Sequence, residues 1–390
     1  MEISKSKRTW IIIGAVLMTA TVQLSSAGLN NTMYAILSGM NGLQYYALLA
    51  TLSSLGMAIM CVIGGRIGDM IGRRAVILAG AVLSLASAIV MGLAQSLSVF
   101  IVARAVLSFG IGTFPGNAFV VAADVSDAKQ YPKVAALLTA TLMVATFLGS
   151  TIAGYLVDAG LIPAAIIYPG VVGLIGAVIA AAKMDKKPTT DGVRGKVDGI
   201  GMVLLAVFML SLCLSLNQGA NLGFGNPIII CGFVVAVVSL LALLKVEKKA
   251  EVPVIPLYLF KNKKYTGVII AGAFITFYEV VMASYVPVSG QALMGLSASI
   301  TGYFSLPRTI IAIALAAPAA AWVVKNQAKN SAIGLAAAGL LAAVAFLGMI
   351  FVGASYLSAS PASPRLSRVH LSDLWLSASS SRRTSASVSA

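Results

Sequence analysis

Residues 64–76 read GGRIGDMIGRRAV and lie between two apolar runs, 43–66 and 75–95. Each run is close to the roughly 20 helical residues that cross the hydrocarbon core of a bilayer. The stretch between them contains glycines, which permit sharp changes of backbone direction, and charged side chains, which are costly inside the hydrocarbon. The sequence therefore predicts a short turn at the membrane surface between two membrane-spanning helices.

The same pattern of apolar runs continues as far as residue 354 in this chain of 390 residues. Of these residues 59% are apolar and 10% are charged, whereas soluble domains carry about 25% charged residues. Lipid offers the backbone no hydrogen-bond partners, so spanning segments are helices or closed barrels, and the runs lack the alternation of barrel strands. We expect an all-α integral membrane protein with about eleven transmembrane helices, at 10–33, 43–66, 75–95, 98–122, 133–157, 161–182, 199–216, 227–245, 266–288, 299–324 and 331–354.

The basic residues are partitioned regularly among the loops. Six alternate segments, beginning with the N-terminus, hold 21 of the 27 Lys and Arg residues, and the intervening loops before residue 355 hold none. Cytoplasmic loops carry the excess of basic residues when loops are short. The partition therefore predicts a multi-pass protein of the cell membrane with a cytoplasmic N-terminus, and it explains the net charge of +15 without an anionic partner.

Several classes of function are excluded by what the sequence lacks. Nucleic-acid binders gather Lys and Arg on one solvated face, whereas here these residues sit in short gaps between apolar runs. His370 is the only histidine, and neither a phosphate-binding loop nor a nucleophilic or metal-ligating set is found. We expect no enzyme, no cofactor, no metal and no nucleic-acid partner, so energy for any work has to come from an ion or substrate gradient.

The turn at 64–76 closely resembles the loop signature G-x-L-x-D-x-x-G-R-[RK] of the major facilitator superfamily. It matches at Gly65, Asp69, Gly72, Arg73 and Arg74. The resemblance implies the major facilitator fold, in which this loop takes part in a gate on the cytoplasmic side.

In that family the gate loop pairs with an acidic residue at the cytoplasmic end of the fourth helix, which the resemblance places at Asp124. The charge cluster is understood to hold the cytoplasmic side closed in the outward-facing state. Such a cluster works as a latch, because it is formed in only one of two helix arrangements. The alternative for Asp124 is a solvated helix end.

Other elements resemble the fourteen-helix drug:proton antiporter branch of the family. Residues 29–32, LNNT, are similar to the L-D-x-T element of the first helix, with Asn30 where Asp is usual, and 149–154, GSTIAG, keep part of the fifth-helix signature G-P-x-x-G-G. Both departures weaken the case for drug:proton antiport, since an amide such as Asn30 does not carry a proton in the usual range.

Three ionisable residues lie inside predicted spans, where each costs about 2.5–3.5 kcal/mol on insertion scales and is a functional candidate by default. Arg104 is similar to an intramembrane Arg of the family, or else extends to the membrane surface. Glu279 and Arg308 lie at matching depths in consecutive antiparallel spans, roughly 13 Å below the boundary at 1.5 Å per residue. They can meet as a static pair that locks two helices, or as a pair that opens and exchanges a proton.

The resemblance implies a domain organisation in five parts. These are a six-helix bundle, a cytoplasmic loop, a two-helix insert with its loop, a partial second bundle of three helices, and a Ser-rich tail: 1–182, 183–198, 199–265, 266–356 and 357–390. The tail holds twelve serines and no glycine or lysine, which indicates either a disordered terminus or a change of reading frame near residue 355.

The implied function is secondary active transport, as proton-coupled export of small organic compounds of the multidrug type. Its partners are the organic substrate, protons and the lipid bilayer. One alternative is a truncated, non-transporting fragment of such a protein, because the second bundle is incomplete. A membrane sensor or accessory subunit is less favoured, since the loops are short and rich in lysine.

Overall fold

The computed structural model describes residues 5–127, 130–184, 199–248, 257–325, 330, 333–334, 336–341, 343–345 and 347–348. All regular structure in these ranges is helical, which confirms the all-α prediction. Most of the loop at 183–198, part of the eleventh predicted span at 331–354 and the whole tail at 357–390 lie outside the described residues.

Between Lys5 and Lys325 the described residues form twelve α-helices and three short 3-10 helices, and ten segments are long and apolar enough to cross a membrane. The first ten predicted spans each fall on one of these segments. The helices are α1 Lys5–Gly39, α2 Tyr46–Ile71, α3 Arg73–Gly92, α4 Leu97–Gly112, α5 Phe114–Asp124, α6 Tyr131–Asp158, α7 Ile162–Lys183, α8 Gly199–Leu222, α9 Pro227–Glu247, α10 Lys263–Met294, α11 Ala298–Gly302 and α12 Leu306–Lys325.

Local sequence sets the helix ends. The Ser96 side chain caps α4 by accepting from the backbone N–H of Val99 over 3.4 Å. Asn226 caps α9 by accepting from Ile228 over 3.0 Å, with a proline in the first turn. Such caps satisfy N–H groups that have no partner within the helix. Gly72 and Gly160 follow α2 and α6 with φ of 99° and 78°, conformations that glycine adopts without strain.

The fourth span consists of two helices, α4 and α5, which join at Thr113. Pro115 lies in the first turn of α5, and a proline removes one backbone N–H from the ladder and so interrupts a continuous helix. The Thr113 hydroxyl donates to the carbonyl of Gly110 over 2.8 Å, which satisfies a carbonyl at the break. The sequence predicted one uninterrupted span here, and the structure adds this break.

Small residues allow the helices to approach closely, as is usual in membranes, where packing replaces the hydrophobic effect. A Cβ on Gly149 of α6 would lie 2.7 Å from the Cα of Leu24 in α1, and one on Gly14 of α1 would lie 2.7 Å from the Cβ of Ala180 in α7. The largest fully buried side chains of this core include Phe100 and Phe114.

These contacts also fix the helix directions. Two hydrogen bonds join α1 to α6, one between Gln23 and Thr146 and one between Asn31 and Ser150. The residue numbers increase in the same direction along both helices, so the two helices are parallel. One end of the helices therefore carries the turn at Gly72 and the start of α1, and we call it the Gly72 end. The other end carries the turns at Gly42, Gly160, Gly223 and Gly295, and we call it the Gly160 end.

The chain divides into two compact units. The first contains the described residues up to Ile270 and from Glu279 to Ala321, and the second contains residues 271–278 and the described residues from Trp322 onward. All the contacts described below lie within the first unit.

Candidate functional site

Three charged residues meet at the Gly72 end, and we call them the Arg73 cluster. Arg73, the first residue of α3, donates to Asp69 in the last turn of α2 over 2.7 Å and also to Asp124, the last residue of α5. The Arg73 side chain is only 16% exposed. A cation at a helix N-terminus and an anion at a helix C-terminus each oppose the helix dipole, and their pairing offsets this cost.

The glycines of the turn have different structural roles. Gly72 has a φ of 99° and a ψ of 130°, a region open almost only to glycine. A Cβ on Gly68 would lie 3.0 Å from the Oδ1 of Asn117, so this glycine allows α2 to approach α5. Nothing lies within 4 Å of a Cβ built on Gly65. Arg74 points away from the Arg73 cluster, with its Nη1 3.5 Å from the carbonyl of Met184.

A buried polar network lies at the Gly160 end. The side-chain amide of Asn31, which is 1% exposed, donates to the carbonyls of Ser150 and Ala298 over 3.0 and 2.7 Å. Its Oδ1 accepts from the hydroxyl of Thr301 over 2.9 Å. Gln291 donates to the carbonyl of Asn31 over 2.6 Å and to Thr301 over 2.9 Å. We call these five residues the Asn31 network, and it joins α1 and α6 to α10 and α11.

Further contacts surround this network. Both carboxylate oxygens of Asp158, at the end of α6, accept backbone N–H groups from the start of α11, those of Ala298 over 3.2 Å and Ser299 over 2.8 Å. The hydroxyls of Tyr155 and Tyr303 are 2.7 Å apart. Carboxylate bonds to backbone N–H groups are among the stronger hydrogen bonds in proteins, so the fifth span is firmly attached to the tenth at this end.

Glycine makes this approach possible. A Cβ on Gly154 of α6 would overlap the carbonyl oxygen of Ala298, and one on Gly302 would lie 2.9 Å from the carbonyl oxygen of Ser150. In the sequence, residues 149–154 match the fifth-helix signature of the family only in part. In the structure Gly149 packs against α1 and Gly154 packs against α11, so the two glycines serve different interfaces.

The structure assigns different environments to two adjacent asparagines. Asn30, the candidate from the resemblance, is only partly buried, whereas Asn31 is enclosed and uses both side-chain atoms. Sequence reasoning missed Asn31, Gln291 and Thr301. The available signal was the presence of two uncharged amides in apolar spans, since amides buried in a membrane need partners.

Glu279 and Arg308 are in contact. The Nη2 of Arg308 on α12 donates to the Oε1 of Glu279 on α10, as their matching depths suggested. Glu279 lies at the middle of the span Tyr265–Met294, and the two side chains remain 42% and 39% exposed. The pair is therefore only partly enclosed by the described residues.

Arg104 belongs neither to the Arg73 cluster nor to the pair of Glu279 and Arg308. It lies on α4 and is 3% exposed, and its Nε has no hydrogen-bond acceptor among the described residues. The phenol of Tyr46 is near enough to interact electrostatically with it. Tyr46 in turn donates to the carbonyl of Ser284 over 2.8 Å. The position excludes a guanidinium extended to the membrane surface, because the side chain is enclosed by protein.

The arrangement is that of a multi-pass membrane protein with one polar group of contacts at each end of the helices, one charged pair at mid-span and a buried arginine in the fourth span. Within the described ranges no three His, Cys, Asp or Glu side chains are grouped to hold a metal ion. Residues 11–363 match the family model described as Major Facilitator Superfamily. The chain belongs to this superfamily.

Relatives and solved structures agree with this assignment. The multidrug transporter protein MdtP of Bacillus subtilis (strain 168) is 28% identical over 309 residues, which are 79% of this chain and 57% of MdtP. Multidrug resistance protein 3 of the same organism is 24% identical over 63% of this chain and 48% of its own. The chain thus spans about half the length of these relatives. A crystal structure of the peptide transporter POT with sulfate superposes with a TM-score of 0.55 at 15% identity, covering 81% of this chain and 68% of that one, and shows the shared fold.

Proposed function

We propose that this protein is a secondary active transporter that exports small organic compounds in exchange for protons. The observation that carries the proposal is the contact between Glu279 and Arg308 at mid-span. A carboxylate at this depth is costly to keep, and a pair that opens when the helices move can take up and release a proton.

The alternating closure of two ends completes the mechanism. Transporters of this fold move one bundle against the other around a site near the midplane. The Asn31 network closes the Gly160 end by joining the first and fifth spans to the ninth and tenth. The Arg73 cluster is formed in the same structure and joins the ends of α2, α3 and α5, so we assign it to positioning the gate loop at the Gly72 end and not to the contact that opens there.

The proposal extends to the branch of the superfamily, the domain organisation, the orientation in the membrane and the class of substrate. We place the chain in the fourteen-helix drug:proton antiporter branch, with a six-helix bundle to about residue 182, a two-helix insert at 199–265 and helices of a second bundle from 266. The regular partition of Lys and Arg supports a cytoplasmic Gly72 end in the cell membrane. Two relatives whose names describe them as multidrug proteins support organic compounds of varied structure as substrates.

The proposal is tested by flux in proteoliposomes with an imposed proton gradient, using ethidium as the fluorescent probe. The unaltered protein is expected to move ethidium against its own gradient and to stop when the proton gradient is collapsed. Glu279→Gln, which keeps the shape of the side chain but not its proton, is expected to lower gradient-driven flux at least about tenfold. Val280→Leu on the same helix is the matched control.

Two results would contradict the proposal. Gradient-driven flux that is unchanged in Glu279→Gln would remove the carrier role of this carboxylate. An unaltered protein that is folded and monodisperse yet moves no ethidium or other organic cation would favour a non-transporting membrane protein instead.

A further inference from the structure

Arg104 is a buried cation that the proposed transport cycle does not use. It lies seven residues after Leu97, the first residue of α4, and so roughly 10 Å below the Gly160 end at 1.5 Å per residue. It is 3% exposed. Its Nε has no hydrogen-bond acceptor, and its guanidinium takes part in no ion pair among the described residues. Arginine stays protonated in proteins, so a full positive charge is enclosed here without an acceptor.

The carboxylates of the described residues are engaged elsewhere. There are six of them. Arg73 binds two, and Arg8 and Arg308 bind one each. The backbone at the start of α11 donates to the fifth. The sixth belongs to Glu247, the last residue of α9, and lies at the Gly72 end. The charge of Arg104 thus has no counter-ion within the described part of the chain, which points to a partner that comes from outside it.

Tyr46 connects Arg104 to the ninth span. Its phenol interacts electrostatically with Arg104 and donates to the carbonyl of Ser284 on α10 over 2.8 Å. Its ring lies 6.1 Å from that of Tyr285. Transporters of this fold open one end by moving one bundle away from the other. When α10 moves away with Ser284, the Tyr46 hydroxyl loses its acceptor, and the opened space contains two donors, the phenol and the guanidinium.

These two donors define the chemistry of a ligand. A guanidinium presents a planar fork of N–H groups that matches the two oxygens of a carboxylate, and the phenol adds one more hydrogen bond. The loops at the Gly160 end hold no Lys or Arg. One positive charge therefore has to balance the ligand, which favours a singly charged carboxylate over a phosphate dianion. The rings of Tyr46 and Tyr285 offer apolar surface beside the charge, which suits an aromatic body.

We propose that Arg104 and Tyr46 form a subsite for the carboxylate of an aromatic organic anion when the Gly160 end opens. The carboxylate pairs with the guanidinium and accepts from the phenol, and the aromatic body lies beside Tyr285. The movement of α10 rests on the proposed transport function, to whose substrates this subsite adds carboxylates. Since Arg104 has no acceptor in the closed arrangement, a bound carboxylate stabilises the open one.

The test is photolabelling of the purified full chain in detergent with 4-benzoylbenzoate, whose benzophenone reacts with nearby C–H bonds. At pH 8 we expect labelled peptides from α4 and α10, and competition by 4-phenylbenzoate but not by the neutral 4-phenylbenzamide. Arg104→Gln is expected to lower labelling at least about fivefold, because charge-assisted hydrogen bonds are lost. Arg104→Lys keeps the charge without the fork and is expected to give intermediate labelling. Val102→Leu, at an exposed position of the same helix, is the matched control and is expected to leave labelling unchanged.

Each variant is checked for monodispersity, so that loss of labelling is separated from loss of folding. If Arg104→Gln does not fold, competition in the unaltered protein decides, since it needs no substitution. Equal competition by the neutral amide would overturn the proposal, and so would parental labelling in Arg104→Gln. Labelling as low in a folded Arg104→Lys as in Arg104→Gln would show that the charge is not what the ligand recognises.

The photolabelling experiment needs no proton gradient, so its failure is distinguishable from failure of the proposed transport. Normal ethidium flux without carboxylate-selective labelling would overturn the Arg104 subsite alone. Selective labelling in a protein that moves no ethidium would overturn the proposed export of organic cations and leave the subsite in place.

Discussion

The side-chain amide of Asn31 donates a hydrogen bond to the backbone carbonyl of Ala298 over 2.7 Å and so joins the first span to the start of the tenth. Ala298 is itself 3% exposed. A side-chain bond to a backbone carbonyl does not depend on the side chain of the partner residue. Its strength can therefore be tested from Asn31 alone, with a reporter placed at position 298.

Replacement of Asn31 by Leu is expected to weaken closure of the Gly160 end. It removes three side-chain hydrogen bonds, and each is worth about 0.6 kcal/mol on average in membranes. A total of about 1–2 kcal/mol corresponds to a roughly 5- to 30-fold shift in the population of the open form. The measurement is the rate at which a hydrophilic thiol reagent labels Ala298→Cys in detergent, with Cys61, Cys213 and Cys231 replaced by Ser.

The neighbouring variant Asn30→Leu is the control for this experiment, since Asn30 is only partly buried. It is expected to leave the labelling rate near that of the parent. Equal labelling rates in the two variants would show that the Asn31 network does not hold the end closed.

Two glycines of α6 are expected to respond differently to the same substitution. A Cβ on Gly154 meets the carbonyl oxygen of Ala298, so Gly154→Ala is expected to speed labelling of Ala298→Cys. A Cβ on Gly149 meets the backbone of Leu24 within the bundle, so Gly149→Ala is expected to lower thermal stability by about 1–3 kcal/mol, as overpacking does. Thermal unfolding followed by tryptophan fluorescence, beside the labelling rate, separates the two effects. A large loss of stability in both variants would argue against a distinct closing role for Gly154.

The glycines of the turn at the Gly72 end offer a second matched pair. Gly72→Ala forces a side chain into a φ of 99° and is expected to cost about 1–3 kcal/mol. Gly65→Ala meets nothing within 4 Å and is expected to be neutral, or slightly stabilising because Ala favours the helix. The midpoint of thermal unfolding in detergent measures both. A loss in Gly65→Ala as large as that in Gly72→Ala would mean that Gly65 is required by contacts absent from this arrangement.

Much of this fold follows from the sequence because every span needs about the same length of helix to cross the hydrocarbon core. Apolar runs and their charged ends predicted the ten spans that the described residues contain, and counting residues from the ends brought Glu279 and Arg308 to one depth. Depth along a helix is linear in sequence, so it can be counted directly.

The sequence does not show as directly how each helix is rotated about its axis, that is, which of its residues face neighbouring helices. The first span is apolar on most of its faces, so nothing in its composition distinguishes Asn30 from Asn31 by direction. Only the approach of α6 and α11, allowed by Gly154 and Gly302, decides which asparagine is enclosed. The break at Thr113 was missed for a similar reason, because hydropathy does not register the loss of a single backbone donor at Pro115.

An exchange of charges between Glu279 and Arg308 separates a static pair from one that carries protons. Either single change, Glu279→Arg or Arg308→Glu, places like charges together and is expected to cost about 1.5–3 kcal/mol of stability, the range for hydrogen bonds to charged groups. The double variant restores opposite charges at the same positions, so we expect thermal stability and protein abundance to return close to those of the parent. Proton-driven ethidium flux is expected to stay low, because the carboxylate then lies on α12 and no longer moves with α10. Recovery of flux together with stability would show that the two side chains act only by attracting each other, and the proton would then have to bind elsewhere.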